Sequence, residues 1–413
     1  MSAPSSVREL LSDGPVRTLV VAQFAFSAGV FLQAAALGKQ VYDITGNEFD
    51  LGLLGLAEFL PAAVLVLVTG AVADRFDRRK VAAAGLFGEL LCSVALLVYA
   101  RSEPTAVWPI FVIAVCFGAF RAFVTPASRA LPPMVAPEGE LPRVIAVNSA
   151  TWTAAVIVGP AASGFLYDVD PWVAFFVAAV LIGGGMVAIR VLPVRRRPAP
   201  PGPDERPSVH AALEGLRFIR RTPILLAAIS LDLFAVLFGG AIALLPAIAE
   251  DRLGVGDIAY GWLRAATGIG AAAMALWLAV HPISRHVGRN LFAAVAVFGA
   301  GTVVLGATTH YVVAFVTIVV ISAADMISRY IRATLVPLVT PDEKRGRVLA
   351  VENVFIGGSN ELGAFESGVA AAVLGTPLAV VGGGLATLAV AGIWQRLFPA
   401  LRRVDRFDDV LAQ

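Results

Sequence analysis

Gly70–Lys80 reads Gly-Ala-Val-Ala-Asp-Arg-Phe-Asp-Arg-Arg-Lys, and this stretch separates two apolar runs, Leu51–Ala73 and Val81–Ala100. Each run has the roughly 20 residues that an α-helix needs to cross the hydrocarbon core of a bilayer. Six of the seven residues from Asp74 to Lys80 are charged, and four of these are basic. Because basic loops stay on the cytoplasmic side of a membrane, the sequence predicts two membrane-spanning helices joined by a cytoplasmic loop.

The composition of the whole chain is that of an integral membrane protein. Of its 413 residues, 58% are hydrophobic and 15% are charged, against about 45–50% and about 25% in soluble domains. The net charge of +2 argues against a nucleic-acid partner. Cys92 and Cys116 fall inside apolar runs, and none of the four histidines lies deep in one. We therefore expect no metal site and no cofactor, and the lack of a nucleophile–base arrangement or a phosphate-binding glycine loop argues against an enzyme and against ATP-driven transport.

The apolar runs predict twelve spans. Their approximate bounds are 16–38, 51–73, 80–100, 107–130, 144–166, 172–193, 223–248, 258–281, 290–309, 311–330, 347–373 and 376–397. With this topology, 27 of the 32 Lys and Arg residues map to the cytoplasmic side, as expected for a correctly oriented multi-pass protein. Both termini are then cytoplasmic.

A change of composition divides the twelve spans six and six. Arg195–Pro207 is rich in proline and predicts an extended tether. The residues after it, up to Arg221, have apolar positions at helical spacing, which predicts a short amphipathic helix on the cytoplasmic membrane surface. We therefore expect an all-α membrane protein with an N-terminal six-helix half (1–193), a cytoplasmic linker (194–222) and a C-terminal six-helix half (223–413).

The two halves repeat each other in sequence. Shifting Ser128–Gly164 by 204 residues onto Arg332–Gly368 gives eleven identities without a gap. A displacement of six spans preserves orientation, so the halves are predicted to be parallel repeats related by an axis along the membrane normal. Binding in such folds is expected near the midplane, between the halves.

The pattern Gly-x-x-x-Asp-Arg-x-x-Arg-Arg-Lys that starts at Gly70 resembles the signature loop of the major facilitator superfamily. Leu231–Pro246, Thr340–Val348 and Phe355–Gly368 look like one branch of it, the bacterial drug and siderophore exporters similar to the enterobactin exporter. This resemblance implies proton-driven export of a small, often amphipathic molecule across the inner membrane of a bacterium, by rocking of two halves in a monomer. An uptake symporter, a solute sensor that does not transport, and a polytopic membrane enzyme are the alternatives.

The resemblance also implies a conformational switch at the cytoplasmic face. In the family, the loop between helices 2 and 3 docks on the N-terminus of helix 11 when the protein is open outward. The residues to which this role carries over are Gly70, Asp74, Arg75, Arg78, Asp342 and Arg347. We expect Asp74 to cap helix 11, and Arg75 and Arg78 to contact acids such as Asp342.

Gly159-Pro160, with Gly164 four residues on, resembles part of the motif that marks antiporters in this superfamily; the upstream glycines are absent. A proline inside a helix removes a hydrogen bond and bends it, and small residues allow close packing, here expected between the halves. A kink used only for packing is the alternative.

Charged residues within spans are candidates for function, because each one needs a partner or a watery cavity. Asp232 lies about nine residues into span 7, with no partner evident in that span, and Glu361 lies near the middle of span 11. Spans 1, 4, 7 and 10 line the cavity in the family, so Asp232 is a candidate proton or substrate site, and Glu361 is a second one. Asp325 and Arg329 are expected to pair locally. Solvation alone can account for Glu352, which is close to the cytoplasmic end of span 11.

Three further charges lie at one depth near the predicted outer face. Glu58, Arg264 and Glu366 are each six or seven residues from the external ends of spans 2, 8 and 11. Two acids with one arginine suggest an outer gate in which Arg264 bridges both carboxylates and protonation of one acid releases it. A permanent Arg264–Glu366 pair is the structural alternative.

Overall fold

The structure, a computed structural model, describes residues 7–195 and 209–410. Within these ranges the side chains at positions 7, 66–67, 71, 73–74 and 209–211 are outside the description. Twelve long helices occur in the described ranges: α1 (Gly14–Thr45), α2 (Glu48–Arg75), α3 (Arg78–Ala100), α4 (Trp108–Arg129), α5 (Leu141–Val169), α6 (Pro171–Arg190), α7 (Pro223–Phe238), α8 (Asp257–Val280), α9 (Val287–Ala307), α10 (Tyr311–Val339), α11 (Asp342–Leu374) and α12 (Thr376–Leu397).

Short helical segments connect or flank these twelve. They are Val7–Ser12, Pro132–Val135, the linker helix Val209–Arg221, the consecutive turns Gly240–Leu244, Leu245–Ala247 and Ile248–Arg252 that continue α7, Pro399–Arg403 and Phe407–Val410. Most of the predicted proline-rich tether lies outside the described residues. The amphipathic segment that was predicted after it is a helix.

The predicted all-α membrane fold is confirmed. Each of the twelve helices coincides with one predicted span, and ten are long and apolar enough to cross a membrane, α7 being counted with its continuation to Arg252. α2 and α11 are not among those ten. In α11 the polar residues Asn360, Glu361 and Glu366 interrupt the apolar sequence.

Local sequence signals fix several helix ends. Asp77 caps α3 by accepting a hydrogen bond from the backbone N–H of Arg79, and Asp170 caps α6 in the same way from Trp172. α11 ends at Gly375, whose φ of +81° is a conformation that suits glycine.

The described residues form two compact units. One holds the residues up to Gln40 and those from Leu60 to Arg195; the other holds Val41–Phe59 and the residues from the linker helix onward. The sequence division at 1–193 and 223–413 stays a prediction about the halves. The corner between α1 and α2 packs with the second unit.

In the first unit, glycines let helices approach closely. A Cβ at Gly85 would lie 2.6 Å from Val124, where α3 meets α4, and a Cβ at Gly185 would lie 2.7 Å from Phe26, where α6 meets α1. Gly159 packs on α1, since a Cβ there would lie 2.8 Å from the carbonyl oxygen of Ala28. This contact of Gly159 is within the first unit, whereas the sequence suggested a contact between the halves.

In the second unit, α9 packs against α10 and α12, and α8 packs against α10. α7 and α11 touch at two glycines: a Cβ at Gly240 would lie 2.2 Å from the carbonyl oxygen of Gly363, and one at Gly363 would lie 2.7 Å from that of Val236. The backbones of α7 and α11 are therefore in close contact at this point.

Candidate functional site

Three buried charged residues from three helices meet in the second unit. Arg332 of α10 donates from Nη2 to Oδ1 of Asp232 on α7 at 2.7 Å, and its Nη1 lies 3.6 Å from Oε1 of Glu352 on α11. The three side chains are 4%, 8% and 9% exposed, respectively. We call these residues the charge triad.

The charge triad carries one more negative than positive charge. A buried charge is costly unless it is paired, and a single guanidinium cannot fully neutralise two carboxylates. The unequal distances, 2.7 Å and 3.6 Å, show that Arg332 is closer to Asp232 than to Glu352. Its Nε is buried and has no hydrogen-bond partner among the described residues.

A second ion pair lies next to the triad on α10. Arg329 Nη2 lies 2.5 Å from Asp325 Oδ2, and this pair is the one predicted from the sequence. Asp325, Ser328, Arg329 and Arg332 follow at i, i+3, i+4 and i+7, which places them on one face of a helix. Asp232, Asp325 and Ser328 line a small cavity together with apolar residues of α7, α9 and α10.

The sequence identified Asp232 but missed its partners. The predicted tenth span, at about 311–330, ends before Arg332, which placed this residue among the cytoplasmic cations. In the structure α10 continues to Val339 and Arg332 is 3% exposed. Glu352, for which the sequence analysis offered solvation near the cytoplasmic end of span 11, is instead buried, with 7% of the residue exposed. The i+7 spacing from Asp325 was the available signal for Arg332.

The predicted switch loop is described in part. Asp77 accepts from the backbone N–H and side chain of Arg79, whose Nη1 also donates to the carbonyl oxygen of Leu192 at 2.9 Å. These hydrogen bonds, first of all that from the Arg79 side chain, hold the pKa of Asp77 below its ordinary value. Arg75 is exposed, Arg78 begins α3, and Gly70 lies within α2. The side chain of Asp74 lies outside the described part, so its capping role stays a prediction.

The N-terminal turns of α11 are held by the linker helix. Arg347 forms a salt bridge with Glu214, and a Cβ at Gly215 would lie 2.7 Å from the carbonyl oxygen of Arg347. Lys344 lies over the ring of Phe218 at 5.0 Å. Asp342 pairs with Arg345 at 2.6 Å. The linker helix therefore packs on protein, and the predicted switch residues Asp342 and Arg347 both have partners in their own unit.

The apolar face of the linker helix packs against α7, α10 and α11. Ile219 of the helix packs in one cluster with Leu225 of α7, Val336 of α10, and Val348 and Val351 of α11. Val336 is one turn beyond Arg332, and Val351 precedes Glu352. Apolar side chains thus lie between the charge triad and the polar face of the linker helix.

The residues predicted to form an outer gate lie toward the ends of the helices opposite to the linker helix. Nη1 of Arg264 donates to the carbonyl oxygen of Ile242 at 3.4 Å. Glu58, Glu361 and Glu366 are partly exposed, and Oε2 of Glu361 faces α2, where a Cβ at Gly55 would lie 3.1 Å from it. The bridging of two acids by Arg264 stays a prediction.

A close contact between α2 and α11 lies beside these residues. A Cβ at Gly52 of α2 would lie 3.0 Å from the carbonyl oxygen of Phe365, and one at Gly368 would lie 2.8 Å from Cα of Gly52. Thr376 Oγ1 donates to Glu48 Oε1 at 2.7 Å. We call this the Gly52–Gly368 contact. Nearby, Tyr42 donates to the carboxylate of Asp251.

Comparison with known proteins identifies the kind of chain. A family model described as Major Facilitator Superfamily matches residues 19–364. The multidrug efflux pump Tap of Mycolicibacterium fortuitum is 26% identical, with 95% of this chain and 97% of that protein covered. The enterobactin exporter EntS of Escherichia coli O1:K1 / APEC is 24% identical, with 82% and 81% covered. The crystal structure of a POT family transporter in complex with 5-aminolevulinic acid superposes with a TM-score of 0.76 at 11% identity, over 94% of this chain and 96% of that chain; this shows a shared fold.

Proposed function

The chain belongs to the Major Facilitator Superfamily, and we propose that it exports small amphipathic molecules of the drug or siderophore class in exchange for protons. It is a multi-pass membrane transporter of small molecules with efflux pumps among its relatives, not an enzyme. The direction of transport, the substrate class and the coupling ion are the proposed parts, together with residence in a bacterial inner membrane with both termini in the cytoplasm.

The relatives support export. Tap is named a multidrug efflux pump and EntS an enterobactin exporter, and both align with most of this chain. The names of these two relatives indicate different cargoes, drugs for Tap and a siderophore for EntS, so they support a broad class of small molecules and leave the particular cargo to experiment.

The charge triad is the observation that carries the proposal of proton coupling. With two carboxylates around one guanidinium, the buried site is relieved of its excess charge when one carboxyl takes a proton. Arg332 then pairs with the other carboxylate alone. Because Asp232 is on α7 and Glu352 is on α11, the exchange of partners changes the attraction of α10 to these two helices.

Such an exchange provides the two states that alternating access needs. A proton can bias a conformational equilibrium only by binding the two states with different affinity. A carboxyl released by Arg332 binds a proton more tightly than one held at 2.7 Å from it. Binding of a proton to the triad would therefore favour the conformation in which one carboxyl is released from Arg332.

The remaining candidate residues are assigned to the two faces. We infer that Gly70, Asp74, Arg75 and Arg78 control the cytoplasmic face together with Asp342 and Arg347 on α11. Glu58, Arg264 and Glu366, with Glu361 as a further proton or substrate candidate, would act near the Gly52–Gly368 contact. Gly159, Pro160 and Gly164 shape α5 for packing, and Gly159 contacts α1.

The test is transport by the purified protein in proteoliposomes under an imposed pH gradient. The probes are enterobactin and a fluorescent lipophilic cation, ethidium. We expect cargo to move uphill against the proton flux. Movement of cargo with the protons would mean an uptake symporter, and saturable binding of a probe without gradient-driven movement would mean a sensor; either result contradicts the proposal.

A further inference from the structure

We propose that the cavity between α7, α9 and α10 binds one small monovalent cation between the carboxylates of Asp232 and Asp325, with the hydroxyl of Ser328 as a neutral ligand. This inference rests on the proposed function, because it names the place where the coupling ion is held; sodium at this place would replace the proton of that proposal.

The cavity has the size and the lining for such an ion. Asp232, Asp325 and Ser328 provide its polar lining, and Ala235, Val236, Ala294, Val295, Phe298 and Ala324 provide the rest. It has room for one water-sized particle. This size fits a small ion that has shed most of its water.

Ser328 is the independent indication of a ligand. Its side chain is buried, with 4% of the residue exposed, and its Oγ has no hydrogen-bond partner among the described residues. Buried hydroxyl groups are nearly always hydrogen-bonded, because an unsatisfied one costs about 1–3 kcal/mol. A serine oxygen beside two carboxylates is a hard oxygen ligand of the kind that small cations prefer.

The charges around the cavity call for one positive charge. The carboxylates in its lining are Asp232 from α7 and Asp325 from α10. Next to the cavity, Arg332 pairs with Asp232 and Glu352, and Arg329 pairs with Asp325. The lining from α9 is apolar. Three carboxylates and two guanidinium groups leave one formal negative charge. A monovalent cation balances this set, whereas a divalent ion would reverse its sign.

The exposure of the charged side chains indicates a path by which an ion reaches the cavity. The Arg329 side chain is 55% exposed and that of its partner Asp325 is 19% exposed, while Asp232 is 8% exposed. An ion that arrives at the Asp325–Arg329 pair therefore meets progressively drier oxygens, ending at Asp232. Sodium and a hydrated proton share this chemistry, and the experiment must separate them.

The experiment is thermal unfolding of the full-length protein in detergent at pH 8, with sodium chloride compared to choline chloride at equal ionic strength. A ligand that binds the native state raises Tm in a saturable way. If the ion is sodium, we expect such a rise, with the half-saturating concentration increased roughly tenfold in Ser328→Ala because the ion loses one of its oxygen ligands. Ser328→Thr, which keeps the hydroxyl, should restore it.

A hydrated proton gives a different pattern. Sodium then has no effect, and the pH at which Tm changes should fall by about one unit in Ser328→Ala, the tenfold loss of affinity expressed in pH. Ser328→Thr should return it to the wild-type value. Ser322→Ala on the same helix is the matched control, and Asp325→Asn, which removes the excess charge, should abolish either effect.

The proposed site is wrong if sodium does not raise Tm and if Ser328→Ala does not shift the pH at which Tm changes. Since no cargo is present, this result and the transport result are independent. Gradient-driven export without a cation effect overturns only the site, and a cation effect that depends on Ser328 without export overturns only the proposed function.

Discussion

Arg332 contacts carboxylates from two other helices, at 2.7 Å from Asp232 and 3.6 Å from Glu352. An arginine suits this role because its guanidinium is always charged and presents donors in a fixed fork. The net contribution of this ion pair to stability differs from the cost of removing Arg332 alone. A buried ion pair is weak evidence for net stability, but removal of one partner leaves a buried charge without compensation.

We therefore expect Arg332→Met to destabilise the protein by about 3–5 kcal/mol, because two buried carboxylates lose their cation. Arg329→Met is the matched control on the same helix. The Arg329 side chain is 55% exposed and its replacement leaves one carboxylate without a partner instead of two, so it should cost less than the replacement of Arg332. Thermal unfolding in detergent measures both.

The combined variant Asp232→Asn, Arg332→Met, Glu352→Gln separates pairing from packing. It removes all three charges and should recover most of the stability that Arg332→Met loses. If the triple variant is as unstable as Arg332→Met, the loss comes from packing and the electrostatic account is wrong.

The lowered pKa of Asp77 predicts how the contribution of this residue to stability depends on pH. Its pKa is lowered by the hydrogen bonds from Arg79, so its contribution to stability is present above the ordinary pKa of an aspartate and is lost as pH falls through the lowered value. Asp77→Ala removes a helix cap and should cost about 0.5–2 kcal/mol at pH 7. The difference in stability between Asp77→Ala and wild type should shrink below about pH 4.

Asp168→Ala, at an exposed position of α5, serves as the control in the same unfolding assay. An equal loss of stability in both variants would refute the capping role.

At the scale of elements, the extra length of α10 decides the site. The apolar window that defines a span ended near residue 330, because Arg329 and Arg332 lower its hydropathy. The helix continues to Val339 because the leucine and valine side chains of its last turns pack in the second unit; Leu335 and Val336 are fully buried. Hydropathy therefore located α10 correctly but missed the two turns that carry and cover Arg332.

The Gly52–Gly368 contact is the second feature at this scale. Glycine pairs let backbones approach closely, but a sequence does not reveal which glycines face each other. We expect Gly52→Leu to separate Val41–Phe59 from α11, since even a Cβ there would lie 3.0 Å from a backbone oxygen. By the proposed mechanism, the predicted outer face should open more often.

A membrane-impermeant thiol reagent measures this opening at an engineered cysteine, Ala364→Cys. The native Cys92 and Cys116 are replaced in the background, because Cys116 is exposed. Gly382→Leu is the control, as a Cβ at Gly382 has no neighbour within 4 Å. Equal labelling of the Gly52→Leu and Gly382→Leu proteins would show that this contact does not hold the face closed.

At the scale of the whole molecule, the two repeats are alike in sequence but differ in charge. With the offset of 204 residues, Arg332 and Glu352 correspond to Ser128 and Asn148 in the first half. The buried arginine–acid pair is therefore a property of the second repeat, and no residue at those two positions of the first repeat is charged. This asymmetry agrees with a mechanism in which one half carries the coupling charges.

The fold could be predicted because hydropathy, charge bias and repetition all act over long stretches. Asp232 could be predicted because a lone acid stands out in an apolar span. Its partners could not, because Arg332 and Glu352 lie near predicted ends, where a charge is ordinarily solvated. Which helices meet, and which side chains share one guanidinium, depends on packing between distant segments; Asp232 and Arg332 are 100 residues apart in sequence.

The central claim is that the charge triad couples export to protons, and transport by Asp232→Asn tests it most directly. The assay compares two modes in proteoliposomes: uphill movement of ethidium driven by a pH gradient, and exchange of ethidium at equal pH on both sides. The control is Asp168→Asn, which changes an exposed carboxylate in the same way. We expect Asp232→Asn to lose gradient-driven transport and to retain exchange, because the carrier still alternates but no longer loads a proton. Full uphill transport by Asp232→Asn would contradict the account.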